Sequence, residues 1–228
     1  MSYITFQPHD YFNTKLYTGN AGTNAITGVG FQPDWLWVKA RSRNDNHRII
    51  DVLRGTNAFK INESNAQNDV SGDGFTSLDS DGFTLNGSGG GGEFNANSAT
   101  FASWNWKAGG TGSTNNDGST ASTVSASPTS GFSVVTHTGT GGATTIGHGL
   151  SATPRVIFTK MTSGSNNTFC QQDILGGSWT SDNYISITTD SGAAAASSST
   201  IINAVSNSTI SFAGSDDWVN GNGSSYVH

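Results

Sequence analysis

A single cysteine, Cys170, is all that 228 residues offer for thiol chemistry. It cannot form an intrachain disulfide, and alone it cannot build a cysteine-rich zinc site. Charge is also scarce: ten Lys and Arg face sixteen Asp and Glu, a net charge of −6. No basic run is present, so the counterion release that drives nucleic-acid binding has no source. No apolar stretch approaches the roughly 20 residues of a membrane-spanning helix, which excludes helical membrane insertion. The opening MSYITFQPHDYF has no charged segment followed by an apolar one, so no secretory leader is expected. Convincing helical periodicity is missing too. The Ala-rich SGAAAASSST (191–200) is short, and its Ser/Thr flank favours a loop. No nucleophile elbow, zinc-binding histidine pair or phosphate-binding loop occurs, and no cofactor is expected.

What the chain does have is glycine, thirty of them, with aromatic residues at 10%. Aromatics therefore carry much of the core, each removing on the order of 150–250 Å² from water when buried. Short β-branched or aromatic runs recur throughout: DWLWVKARS, HRIIDVL, GFTSL, GFTL, TFASWNWKA, GFSVVTHTG, PRVIFTKM, YISITTD, STIINAV and STISFAG. Gly, Asn, Asp and Ser clusters bound them, the punctuation of strands and tight turns. The fold class read from this is all-β.

The second half echoes the first at a spacing near 120 residues. LYTGNAGTNAITGVGFQPDWLWVK (16–39) aligns with VTHTGTGGATTIGHGLSATPRVIFTK (135–160), Pro33 falling on Pro154 and Lys39 on Lys160. Asp51-Val52-Leu53 aligns with Asp173-Ile174-Leu175, which puts Phe169 where His47 stands. So long a period implies duplicated domains rather than a solenoid. The expected organisation is a β-sandwich of jelly-roll type over 1–108, a Gly/Ser/Asn-rich linker at 109–118, and a second sandwich over 119–228. STVSAS (122–127) is expected as the second unit's first strand.

YTGNAGTNAITGVGFQPDWLWVKARS, HRIIDVLRG, SDGFTL, FASWNWKAGG and TGTGGATTIGHGLSATPRVIFTK together resemble a domain found, often in tandem, in tail-fibre and other virion-surface proteins of marine bacteriophages. The resemblance spans nearly the whole chain and contains no catalytic signature. It implies location on the virion surface and a non-enzymatic, structural or host-contacting role. The implied partners are other capsid or tail proteins and host surface polysaccharide, with a homo-oligomer, a trimer, as the expected assembly. Within it a tail-fibre or adhesin module competes with a capsid decoration protein; a polysaccharide depolymerase is the third reading. The second copy departs from the pattern, with Gly176 at the place of Arg54.

GSGGGG (87–92) matches a dinucleotide fingerprint in letters only, because EFNANSATF after it reads as no helix to hold a pyrophosphate. Asp73, Asp79 and Asp81 sit in turns and lack EF-hand spacing; no metal site is expected. His47 and Asp51 would lie about 13 Å apart along a strand, so Asp51 is expected to hold a turn or an arginine. His137 and His148, alone in Thr/Gly-rich sequence, are expected at the surface, and Cys170 inert. Trp35 and Trp37 are expected in the core, since Val156 and Phe158 replace them in the second copy. Trp104 and Trp106 share a strand face and are expected there as well. The candidate glycan-contacting residues are therefore those of polar, turn-rich segments: Trp179, Asp182 and Asn183 in one, Asp216, Asp217, Trp218 and Asn220 in the other.

Overall fold

The computed structural model describes residues 7–172, 183–188, 194–195, 202–214 and 217–228. It divides into two compact units, Met1–Ala58 with Asn68–Gly110, and Phe59–Gln67 with Thr111–His228. The segment Phe59–Gln67 thus groups with the second unit, where the Ser64 carbonyl accepts from Lys160 Nζ (2.9 Å) and from Asn166 N (2.7 Å).

Unit 1 is a two-sheet all-β sandwich. In spatial order its larger sheet holds β1 (Phe12–Thr18), β9 (Thr100–Trp106), β3 (Trp35–Ala40), β4 (Arg48–Asp51), the strand β5 (Asn57–Lys60), of which Asn57 and Ala58 belong to this unit, and β6 (Asn68–Asp69). The smaller holds β2 (Asn24–Ile26), β8 (Gly82–Leu85) and β7 (Phe75–Asp79). Leu36, Val38, Ile50 and Phe101 from one sheet meet Ile26, Phe75, Phe83 and Leu85 from the other. Alternate side chains of each strand supply this core, as the pleat requires.

Unit 2 repeats the strand order. Its larger sheet holds β10 (Ser113–Asn115), β11 (Ser122–Ser127), β12 (Phe132–Thr138), β20 (Ser225–Val227), β14 (Val156–Met161), β15 (Thr168–Gln172), β16 (Asn183–Ser186) and β17 (Ala194–Ala195). The smaller holds β13 (Thr144–Gly147), β19 (Thr209–Phe212) and β18 (Ile202–Val205). From β12 onward the order matches β1-β9-β3-β4-β5-β6, and the small sheets match strand for strand. STVSAS forms β11 as its β-branched alternation suggests. Ser113–Asn115, inside the stretch expected as linker, form β10 on its edge, with Ser113 opposite Val124. Edge pairing satisfies backbone groups without any apolar side chain, and composition does not reveal it.

The glycine-rich loop contains a 3₁₀ turn, Ser88–Gly91, and one helical turn, Gly92–Asn95. EFNANSATF therefore begins with a single turn of helix, a correction to the sequence reading. Among the described residues no helix is long and apolar enough to cross a membrane.

Candidate functional site: an aromatic sheet face

Alternation along β3 sends Leu36, Val38 and Ala40 into the core and leaves Trp35, Trp37 and Lys39 on the opposite face. In β9 the same parity places Ala102, Trp104 and Trp106 there. The antiparallel register sets these residues in rows: Phe12, Trp106 and Trp35; Thr14, Trp104 and Trp37; Leu16, Ala102 and Lys39. Arg41 N donates to the Thr100 carbonyl at 2.7 Å, continuing the ladder by one more row. Rows two residues apart are spaced by about 6.8 Å.

The tryptophans are not all core. Trp35 is buried, but Trp37, Trp104 and Trp106 are half-buried and lie outside the inter-sheet cluster. Beside them Phe12 is 37% and Leu16 65% exposed. Sequence could not settle this: both parities of β3 are apolar, and in β9 the parity that turns inward carries Ser103 and Asn105 beside Phe101, while the more apolar Ala102, Trp104 and Trp106 face out. Trp37 and Trp104 meet edge-on at 5.9 Å between centroids, and Phe12 tilts onto Trp106 at 4.8 Å. Trp37 Nε1 donates to His47 Nδ1 at 2.9 Å, so His47 uses its neutral form. Burial, and then the charge of Lys39, pull its pKa below the ordinary value. The overlooked members are Phe12 and Leu16. Their signal was the parity of FNTKLYT, apolar at 12 and 16 while Tyr17 takes the core-facing set.

One end of this face is aromatic and the other basic. Lys39 and the exposed Arg41 follow Trp37 on the same parity, and exposed Arg43 pairs with Asp45 at 3.1 Å. The arrangement offers flat apolar rings and cationic donors.

The residues first singled out for glycan contact are placed differently. Trp179, Asp182 and Asp216 lie outside the described residues, and Asn183 opens β16. Asp217 is exposed, its carbonyl accepting from the Tyr226 hydroxyl (2.7 Å) and Asn166 Nδ2 (3.0 Å). Trp218 is half-buried and stacks on Phe169 at 4.7 Å, in contact with the core rather than free in a polar loop. Asn220 is fully buried. Its Oδ1 accepts from Thr140 N (2.9 Å), and its Nδ2 donates to the carbonyls of Gly142 (2.6 Å) and Gly214 (3.3 Å).

Asn95 does the same in unit 1. Its Oδ1 accepts from Asn20 N (3.0 Å), and its Nδ2 donates to the carbonyls of Gly22 (2.7 Å) and Asn86 (3.1 Å). Both clamps tie the turn after the first long strand to the segment entering the last one. Gly19 and Gly139 let the chains pass, since a Cβ would lie 2.3 Å from the Ala96 carbonyl oxygen and 2.2 Å from that of Gly221.

Two residues before each clamp the units diverge. Arg48 lies opposite Val38, and Phe169 opposite Thr159, so Phe169 occupies the place of Arg48 and not of His47. By the same register Gln172 stands at the place of Asp51. The buried Arg48 guanidinium pairs with Glu93 through Nε, donates to Asn68 Oδ1 (3.0 Å) and lies 5.9 Å from the Phe94 ring centroid. The ion pair Arg48–Glu93 in one unit is thus the ring stack Phe169–Trp218 in the other. Removing one member of a buried pair leaves the other charge under-compensated, here with only the half-exposed Asp73 at 3.6 Å from Arg48. Glu93→Ala should therefore lower unit 1 stability by about 2 kcal/mol, reduced from the fully buried case because Glu93 keeps some exposure. Urea denaturation measures this, and a change near zero would refute it.

The aspartates of the turns are engaged by neighbouring groups. Asp51 Oδ1 accepts from Leu53 N and Arg54 N, both at 3.0 Å, while Oδ2 accepts from Arg54 Nε at 2.6 Å. Asp79 accepts from Ser77 and Thr84 hydroxyls, and Asp81 from Gly28 N and Gly30 N. Among the described residues no group of three or more His, Cys, Asp or Glu is placed to hold a metal ion. Cys170 is half-buried, and burial pushes its thiol pKa up. His137 and His148 are buried, not at the surface as expected: alternation turns His137 into the sandwich, and His148, just after β13, donates its backbone N–H to the Ser208 carbonyl at 3.1 Å. His148 Nδ1 accepts from Leu150 N at 3.2 Å.

The family model described as Domain of unknown function (DUF7483) matches residues 7–228. No curated protein and no solved structure matches the chain.

Proposed function

We propose that this chain, which belongs to the DUF7483 family of domains of unknown function, is a non-enzymatic structural module of a bacteriophage virion surface that contacts host glycans. The observation that carries the glycan contact is the half-exposed tryptophan face of unit 1, held on a central sheet rather than on loops. Such rings suit the apolar faces of sugar rings and lose little conformational entropy on contact. The resemblance to virion-surface domains supports the reading of a virion-surface location. The shared strand order and the paired Asn95 and Asn220 clamps support an origin by internal duplication. Weak contacts suffice for attachment when a virion displays many copies.

The test has two arms. Antibody labelling of intact virions should mark the tail; label on the head would favour the decoration protein instead. The purified chain should bind host envelope polysaccharide without cleaving it. Release of reducing ends would replace this reading with a depolymerase.

A further inference from the structure

We infer that the outer face of the β1-β9-β3 sheet binds an anionic oligosaccharide, its rings against Trp104, Trp106 and Phe12 and its acidic groups toward Lys39 and Arg41. This rests on the reading of the chain as a glycan-contacting module and names the class of glycan.

The reasoning begins with charge. The protein carries −6 overall, and only ten of its residues are basic. Three of those ten, Lys39, Arg41 and Arg43, fall within five positions at one end of the tryptophan face. Arg41 and Arg43 are exposed and Lys39 is half-buried. Asp45, itself mostly covered, pairs with Arg43 through its carboxylate at 3.1 Å and accepts from Lys39 Nζ through its carbonyl at 2.5 Å, which leaves Arg41 as the exposed cation nearest the rings. A protein that repels polyanions at large thus offers them one local cationic edge, next to apolar rings, which favours orientation over indiscriminate adsorption.

Geometry agrees. The Trp104 row and the Arg41 row are four residues apart on the strand, about 14 Å. An oligosaccharide several sugars long could lay apolar ring faces on the indoles and still reach the cations. The equivalent surface of unit 2 has Val156 at the place of Trp35 and Phe158 at that of Trp37. There Lys160 is buried and donates to the carbonyls of Ser64 and Asn166. Among the described residues the combination of indoles with an exposed cation belongs to unit 1.

Carboxylate and sulfate groups would be recognised by the same chemistry, and the test separates them. The full chain is titrated by calorimetry with an oligogalacturonate, a sulfated oligosaccharide and a neutral cello-oligosaccharide, at 50 and 500 mM NaCl. At least one anionic ligand should bind, at least fivefold more weakly at high salt, with the neutral one tenfold weaker or undetected. Arg41→Ser and Trp104→Ala should each weaken binding at least tenfold. Leu16→Glu, at a 65% exposed position that does not threaten folding, should do likewise.

Equal, salt-independent affinity for the neutral ligand would overturn the anionic assignment and leave the glycan reading standing. Binding unchanged in Arg41→Ser and Leu16→Glu would overturn the site. Dissociation of an oligomer by Leu16→Glu, with no saccharide bound by the parent chain, would give the face to a second copy. If the chain binds none of the three ligands yet still binds host envelope polysaccharide, this inference falls alone. If it binds neither, both readings fall.

Discussion

Replacing Asn95 with alanine should cost unit 1 about 4 kcal/mol, a large share of the roughly 5–15 kcal/mol that holds a domain folded. The side chain is fully buried and serves three backbone groups: Asn20 N, Gly22 O and Asn86 O. Truncation leaves all three without their side-chain partner, at about 1–3 kcal/mol each where water does not replace it. Relaxation of the turn recovers part of that sum. Asn220→Ala should act in the same way on unit 2, through Thr140 N, Gly142 O and Gly214 O. Asp is the informative control at either position. It keeps the acceptor for the backbone N–H but presents a second oxygen to carbonyls that need a donor, so it should rescue little. Denaturant unfolding read by hydrogen exchange separately over the two units would measure each effect. A loss below 1 kcal/mol at both sites would mean that water replaces the amide.

Acidification should weaken unit 2 before unit 1. The His137 ring is buried and stacked against Phe212, Tyr226 and His228, at 5.3, 5.2 and 5.0 Å between centroids. Across the sheet, His228 Nε2 lies 3.1 Å from His137 Nδ1, and Thr159 Oγ1 lies 2.9 Å from His228 Nδ1. Burial lowers the His137 pKa to about 4. His228 is lowered as well, by burial first and then by the neighbouring His137. Both rings are therefore neutral in the fold, whereas an unfolded chain takes up their protons near 6.5. Their stabilisation is complete above that pH and is lost as pH falls from 6.5 toward the folded value. For His137 alone the gap between 6.5 and about 4 corresponds to ~3 kcal/mol.

Unit 1 has no such group at the equivalent place, where Tyr17 stacks on Phe101 at 5.1 Å; its His47, also held below 6.5 but only half-buried, contributes with the same sign. Its Asp81 is held below the ordinary carboxylate value of 3.8 by the N–H groups of Gly30 and Gly28. That contribution, by the opposite sign, persists until pH falls below 3.8. Hydrogen exchange at pH 7, 6, 5 and 4 should show protection lost first in β12, β14 and β20. His137→Tyr, which installs the unit 1 residue, should remove most of the slope. Equal loss in both units across pH 6.5 to 4 would contradict the assignment.

Turn chemistry and strand propensity are local, so the sequence alone determined the all-β class, most strand positions and the spacing of the two halves. A glycine pair or an Asp-Gly bends the chain wherever it occurs, and DWLWVK or GFSVVTHT extends it. Three things were decided only by tertiary structure. The first is the side of each strand that becomes core. Where both parities are apolar, as in β3, only the position of the second sheet chooses, and it turned Trp37 outward; in β9 it buried Ser103 and Asn105 and turned the apolar Trp104 outward against the pattern. The second is the state of polar residues in glycine-rich loops. Asn220 and His137 look like surface residues by composition, because burying them is costly until partners arrive from about 80 residues away. The third is register. An alignment by letters put Phe169 on His47; the ladder put it on Arg48, and so brought out the exchange of an ion pair for a ring stack. Hydrogen bonds across strands fix register, and they form between segments that no local window contains.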